Sequence, residues 1–465
     1  MVVPDQQAHH LIKDLGDGLI LRRATSEDAE QLAEFNAHIH MQDDSKEPDQ
    51  RVAQWTGDLL TRSHPTTGPA DFTIVEDRNQ KKIVSTMVLI SQTWSYAGID
   101  FKVGRPELVG TDPAFRERGL VRAQFVTIHR WSAERGEQVQ GITGIPYYYR
   151  QFGYEMALEL GGGRVGFLQQ IPKLEGDEPF SLRPAVEIDI PFLVELDSQM
   201  NKRYLVSCSR DADLWRYELS GRSPNNVNNS VIKMIESETG NAVGFIAHPP
   251  YLWGGMMAAT AFEIKPGHSW ASITPSVMRH LKAVGDEYSA EQENAQNFER
   301  FGFWLGSQHP VYEVIPDKLP KTRAPYAWFL RVPDLPGFIR HIRPQLEARI
   351  AASALVGYQG EIRLTFYKSG LRLVVEGGRL VGIKQWKPEP ERGSGDAGFP
   401  GLTFLQLVFG YRNMSELKFS FADCWTKNDQ IANLLDILFP KTASSVWPLS
   451  GDILVFWGVL QDQEG

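Results

Sequence analysis

The chain has 465 residues, 42% apolar and 23% charged, with 48 basic against 57 acidic side chains and a formal net charge of −9. That balance excludes nucleic acid as the main partner, because neutralising phosphates needs a basic surface, and two cysteines exclude a disulfide framework or a cysteine-rich metal site. No apolar run has the length of a membrane helix, and the first residues lack the basic-then-apolar order of a secretory signal, so a cytoplasmic protein is expected.

The first predicted element is a strand, Leu21-Arg22-Arg23-Ala24, running into an amphipathic helix with Asp28 near its start and Leu32 and Phe35 on one face. The stretch that follows holds His38, His40, Met41, Asp43 and Asp44. Its His-x-His pair has no evident third ligand, so no metal is expected there; the acidic pair suits a cationic amine or is simply solvated. Trp94 and Tyr96, placed between two strands, are pocket aromatics or packing residues. Glu107 opens the next strand and, by the period of two, shares a face with Val109 and Thr111. A carboxylate there is a water-mediated base or an exposed strand end.

The apolar Leu108-Val109 leads through Thr111-Asp112-Pro113 into Arg116-Glu117-Arg118-Gly119-Leu120-Val121 and a helix reaching Trp131. A strand entering a helix this way leaves orphan backbone N–H groups at the positive end of the helix dipole. Such a terminus seats a pyrophosphate. Gly119 lets the anion approach the backbone, and Arg116 and Arg118 add charge-assisted hydrogen bonds. A merely solvated helix start is the alternative.

The same grammar then returns. Leu182-Arg183-Pro184-Ala185 is followed by Asp189, Leu193 and Leu196, and Tyr149-Arg150-Gln151-Phe152-Gly153-Tyr154 is echoed by Phe298-Glu299-Arg300-Phe301-Gly302-Phe303. A duplication is expected. The second copy carries no arginine in Ile264-Lys265-Pro266-Gly267-His268-Ser269-Trp270 and has Phe298 in place of Tyr149, so a structural role is expected for it. Beyond it, Pro333 to Leu355 reads as a helix. Ile362, Leu364 and Phe366, then Leu371, Leu373 and Val375, alternate as strands around a turn at Glu376-Gly377-Gly378-Arg379. A polar loop, Lys387 to Pro400, precedes the apolar Leu402 to Phe409. Asn428-Asp429 caps a helix with Ile431, Leu434, Leu435 and Leu438 on one face.

The Arg116-to-Val121 turn and the downstream Gly144-to-Tyr154 stretch together resemble the GNAT superfamily of acetyl-CoA-dependent N-acetyltransferases. Two such units followed by the third segment resemble its enhanced-intracellular-survival (Eis) branch. The resemblance implies an α+β chain: two GNAT-type mixed sheets flanked by helices, the second degenerate, and a C-terminal sterol-carrier-like α+β domain. The divisions fall at 16–172, 176–325 and 326–465, in line with about 150 residues per domain.

The resemblance also assigns roles. Acetyl-CoA is the cosubstrate, its pantetheine arm along Val109, Gly110 and Thr111 and its pyrophosphate at Arg116, Arg118, Gly119, Leu120 and Val121; Val121 stands where Gly or Ala is usual. A backbone N–H near Val109 is the expected oxyanion donor, and Tyr149 the acid that protonates the departing thiolate. Tyr147 and Tyr148 sit at the wrong offset from Phe152-Gly153. Glu107 is the candidate base, while His38, His40 and Trp94 are candidates for the acceptor side. The expected acceptor is a small-molecule or peptide amine, and the expected assembly a homo-oligomer, trimer or hexamer, with no metal, nucleic acid or membrane partner. In that branch the terminal carboxylate enters the active site; here the chain runs on past Ser444-to-Leu449 through Ile453-to-Trp457, which leaves that role open. The alternatives are a non-catalytic CoA- or lipid-binding carrier and a structural oligomer that binds neither.

Overall fold

The computed structural model describes residues 11–41, 47–61, 64–145, 147–291, 297–389 and 395–446. Asp43, Asp44 and the stretch from Ile453 to Trp457 lie outside the described residues. Those described form an α+β fold of four sheets flanked by helices. Among them no helix is long and apolar enough to cross a membrane.

The first sheet is built from β1 (Leu11–Gly16), β2 (Leu19–Arg23), β3 (Phe72–Asp77), β4 (Lys82–Tyr96), β5 (Ile99–Thr111), β6 (Val139–Ile142) and β7 (Glu155–Leu160). Three helices cover it: α1 (Ala29–Ile39), α2 (Gln50–Thr61) and α3 (Leu120–Glu134). Covering both faces removes the polar alternation of a half-exposed strand, so β4 is almost continuously buried. Its Val88 and Ile90 pack with Leu32, Phe35, Trp55 and Leu59 of α1 and α2. Met87 and Leu89 pack on the other face with Phe125, Ile128 and Trp131 of α3.

The two strand-to-helix turns that echo each other in sequence also share individual hydrogen bonds. Arg22 donates through Nε to Glu76 at 2.7 Å and through Nη2 to Asp28 at 2.7 Å, while Asp28 accepts from the Thr25 backbone N–H at 2.8 Å. In the second copy Arg183 donates to Glu236 at 2.7 Å and to Asp189 at 2.7 Å, and Asp189 accepts from Val186 N–H at 2.9 Å. Each carboxylate closes the turn that feeds the helix and fixes the strand's arginine against its neighbour. The Leu193 and Leu196 stripe of helix Ile190–Asn201 is fully buried, and Phe301 and Phe303 are core residues.

Strand order departs from chain order where the copies meet. Tyr326–Arg331 inserts antiparallel between β6 and β7 of the first sheet. Gly163–Phe167, which follows β7 directly, instead joins Arg300–Phe303 and Lys321–Arg323 of the second copy. The third segment has helix Leu335–Ala351, strands Gly360–Thr365, Gly370–Glu376 and Arg379–Trp386, and helix Asp429–Leu438. Asn428 caps the last helix by accepting from Ile431 N–H at 3.0 Å. The core of this segment is continuous with the end of the first sheet, since Trp94, Val103, Leu158 and Trp328 share one apolar cluster with Ile342, Leu364 and Leu434.

Candidate active site

The site begins with an irregularity in β5. Thr86 pairs with Gly110 and Val88 with Glu107, so Met87 alone faces both Leu108 and Val109. This is a β-bulge, with Leu108 held at φ 50°, a left-handed conformation that is costly for a branched residue. Leu108 turns into the α1–α2 core, and Val109 packs on the α3 side. The extra residue reverses the alternation expected for this strand. Val109 and Thr111 share the α3 face, but Glu107 stands with Gly110 on the α1–α2 face.

β5 also parts from β6. The two pair in parallel only at Val103–Val139 and Gly104–Gln140. Past Gly104, β5 stays paired with β4 as far as Thr111 but no longer with β6, whose Gly141 and Ile142 keep their pairing to Leu330 and Phe329 on the other edge. Between the diverging strands is a wedge whose β5 wall carries the bulge. Behind that wall the Ser85 hydroxyl lies 2.8 Å from the Thr111 hydroxyl, donates to the Gly110 carbonyl at 2.9 Å, and lies 2.7 Å from Oε1 of Gln124 on α3. Gln124 in turn donates to the Thr73 carbonyl at 3.1 Å. This buried network fixes α3 against β4 and β5.

The turn into α3 leaves the helix start open. Asp112 accepts from Ala114 N–H at 3.0 Å and from Lys82 Nζ at 2.6 Å, shaping the short turn Pro113–Phe115. Gly119, at φ 75° with open space where a Cβ would lie, precedes the helix and offers no capping side chain. No acidic residue occupies the first turn of α3, so the dipole's positive end faces an uncompensated N-terminus. Arg116 and Arg118 flank it, the latter 3.3 Å from exposed Asp17. Leu120 is buried in the core and Val121 packs partly buried against the aromatic cluster under α3.

Tyr149 lies in that cluster, ringed by Phe125, Tyr154 and Phe329 at 6.1, 6.4 and 5.8 Å between ring centres. A Cβ on Gly144 would lie 2.9 Å from its hydroxyl, so the phenol reaches the backbone just beyond β6. Val109 packs against the same cluster. Tyr147 is exposed at the mouth of the turn, and Tyr148 is half-buried. Beneath them Tyr154 is fully buried with its hydroxyl 2.9 Å from His129 Nε2. Burial, aided by the charge of Arg331, pushes His129 down to about 3, and burial raises the Tyr154 phenol.

Other predicted residues are placed differently. Glu107 is buried, not an exposed strand end, and is ion-paired with the fully buried Arg105. Trp94 offers no surface to a substrate. It is fully buried, donates from Nε1 to Gln92 at 2.9 Å, and packs edge-on to Trp328 at 5.5 Å. The supposed gap between strands is the end of β4, covered by strand Val206–Cys208 and the third segment. His38 is exposed and bonds through Nδ1 to the Glu34 carbonyl of its own helix at 2.8 Å. His40 closes α1 with a shielded, unpartnered Nε2, and burial pushes it down to about 4. At Gly110 the missing side chain admits Ile39 of α1, whose Cγ2 would lie 2.7 Å from a Cβ. Sequence reasoning missed the bulge at Leu108, for which a leucine gives no signal. Among the described residues no cluster of three metal-ligating side chains is present.

Comparison with known proteins agrees with this geometry. Residues 21–157 match the family model described as acetyltransferase (GNAT) domain. No curated protein matches the chain. Among solved structures, the fold is similar to a GCN5-related N-acetyltransferase from Kribbella flavida, with 18% identity, TM-score 0.61, and 92% of this chain and 99% of that one covered. A probable N-acyltransferase from Enterococcus faecalis V583 aligns over the same shares at 13% identity and TM-score 0.61. Eis1 from Mycobacterium abscessus aligns over the same shares at 12% identity and TM-score 0.57. Residues 21–157, with their bulged β5, splayed β6 and open helix start, are therefore a GNAT domain, and the enzyme built around it is an acetyltransferase.

Proposed function

We propose that the chain transfers an acetyl group from acetyl-CoA to a primary amine of a small molecule or peptide by direct attack on the thioester. The observation that supports this reading most is the convergence of Val109, the bare start of α3 and Tyr149 on one side of the first sheet. Pantetheine would follow Val109, Gly110 and Thr111 along the wedge, with the pyrophosphate at Gly119, Leu120 and Val121 between Arg116 and Arg118. The amine lone pair forms the C–N bond, and the carbonyl becomes a tetrahedral oxyanion facing the backbone N–H near Val109. The C–S bond then breaks, and Tyr149 gives its proton to the thiolate.

A thiol near ~8.5 and a phenol near ~10 make this transfer only weakly driven, which places Tyr149 toward the low end of the roughly 10² to 10⁴ range of general-acid effects. Glu107, on the face opposite Val109, would take the amine's proton through water. His38 and His40, at the end of α1, flank the acceptor side.

We further place the chain in the Eis-like branch. It would be a cytoplasmic homo-oligomer with a degenerate second unit over 176–325 and a sterol-carrier-like third unit over 326–465. Val121, where Gly or Ala is usual, and the run of chain past Leu449 leave room for a second reading, a CoA- or lipid-binding carrier without turnover. Release of CoA from acetyl-CoA across a panel of amines separates the two: amine-dependent release supports the enzyme, and tight binding without release from any amine supports the carrier.

A further inference from the structure

Tyr149 rests on a backbone position that suits glycine. Gly144 lies where the chain leaves β6 for the turn Tyr148–Phe152, and its φ of 136° is a conformation that residues with a Cβ rarely adopt. A Cβ there would lie 2.7 Å from Cε2 of Tyr149, 2.9 Å from its hydroxyl oxygen and 3.2 Å from Cζ. The hydroxyl end of the phenol is therefore set against the bare side of this glycine. A glycine is also the residue least able to hold its own backbone in one conformation.

Its carbonyl is held from another part of the chain. The Tyr326 hydroxyl donates to the Gly144 carbonyl at 3.2 Å. Tyr326 opens the strand in which Phe329 pairs with Ile142 at the end of β6, while Tyr326 itself pairs with Leu160 at the end of β7. Because that strand runs antiparallel to β6, Tyr326 comes level with the chain just past Ile142. Phe329 packs with both phenol rings, its centre 5.8 Å from that of Tyr149 and 6.4 Å from that of Tyr326. Burial, with Tyr411 and Tyr147 nearby, pushes the Tyr326 phenol up to about 12, so at neutral pH it keeps the proton it donates.

We propose that Tyr326 is a positioning residue for Tyr149. By pinning the Gly144 carbonyl it fixes the backbone surface against which the phenol rests, and with it the direction in which the phenol presents its proton. Tyr326 gives no proton to the thiolate; its role rests on the acetyl-transfer reading, in which Tyr149 does so. Gly144 and Tyr326 are 182 residues apart in the chain, and the whole second unit lies between them. The phenol of the first unit is thus set by a residue that follows the second.

Tyr326→Phe removes the hydroxyl and keeps the ring. In the full chain it is expected to lower kcat for amine-dependent CoA release about ten-fold, with KM for acetyl-CoA and the melting transition unchanged, because a displaced acid costs rate and not cofactor binding. Added to Tyr149→Phe, the same change is expected to cost nothing further, since residues that act through one proton donor are not additive. An unchanged kcat, or an equal fall in both backgrounds, overturns the role. Should Tyr326→Phe lose its melting transition, Gly144→Ala takes its place. It puts a Cβ against the phenol, and its loss of kcat is expected only where Tyr149 is present; an equal loss in Tyr149→Phe overturns the role as well. A wild type without amine-dependent release sinks the acetyl-transfer reading instead, and the positioning is then read without turnover. The NMR signal of the isotope-labelled Cζ of Tyr149, identified by its loss in Tyr149→Phe, is expected to move in Tyr326→Phe, and a signal that stays in place overturns the positioning.

Discussion

Gly110 yields its side-chain space to α1. It sits on the wall where a cofactor arm would lie, and the methyl group of Ile39 fills the space a Cβ would need. Gly110→Val is expected to push α1 off the strand and to destabilise the chain by about 1–3 kcal/mol, the usual cost of overpacking. Urea unfolding measures it, and an unchanged midpoint would contradict the close α1 contact. At this scale the sequence was most readable where chemistry demands a residue type. The glycine of the turn into α3 precedes a helix start with no acidic residue in its first turn, and Tyr149, ahead of Phe152-Gly153, packs in the cluster that also holds Val109 and Val121. It was least readable where geometry overrides periodicity. One bulged residue moved Glu107 to the opposite face, and nothing in Leu108 announces a left-handed backbone.

Local elements were legible because each carries its own signal. Asp28 and Asp189 marked the two helix starts, and each closes a turn while holding an arginine. Asn428 marked a third start, and the alternation from Ile362 to Val375 resolved into a hairpin pair. What could not be read was the exchange of strands, since hydrogen-bonding partners far apart in sequence leave no local pattern. Tyr326–Arg331 looked like the opening of the third segment, yet it holds β6 and β7 together, with Phe329 fully buried under Tyr149. A chain ending at residue 325 would therefore take away the strand that joins β6 to β7 and expose the aromatic cluster. It is expected to be insoluble or to lack a cooperative thermal transition, whereas the first unit would melt cooperatively on its own if it were self-sufficient.

Among the described residues, burial holds several histidines below their usual range. Burial pushes His129 and His309 down to about 3 and His248 to about 4. In the unfolded chain each takes up a proton near pH ~6.5, so between that pH and the folded values the unfolded state binds more protons. Stability is then complete above about pH 6.5 and is lost as pH falls, with each histidine adding up to about 1.4 kcal/mol per pH unit. The melting temperature is expected to drop between pH 6.5 and 5; a rise over that interval would contradict the buried, neutral assignment. The common core that joins the first sheet to the third segment predicts a single transition in the same scan. Val109, the bare start of α3 and Tyr149 lie on one side of the first sheet, and the central claim is that these perform acetyl transfer. The most direct test measures amine-dependent CoA release and acetyl-CoA binding side by side in the wild type and in Tyr149→Phe. The account predicts release that falls about 10²-fold with binding retained, and undiminished release in the mutant would contradict it.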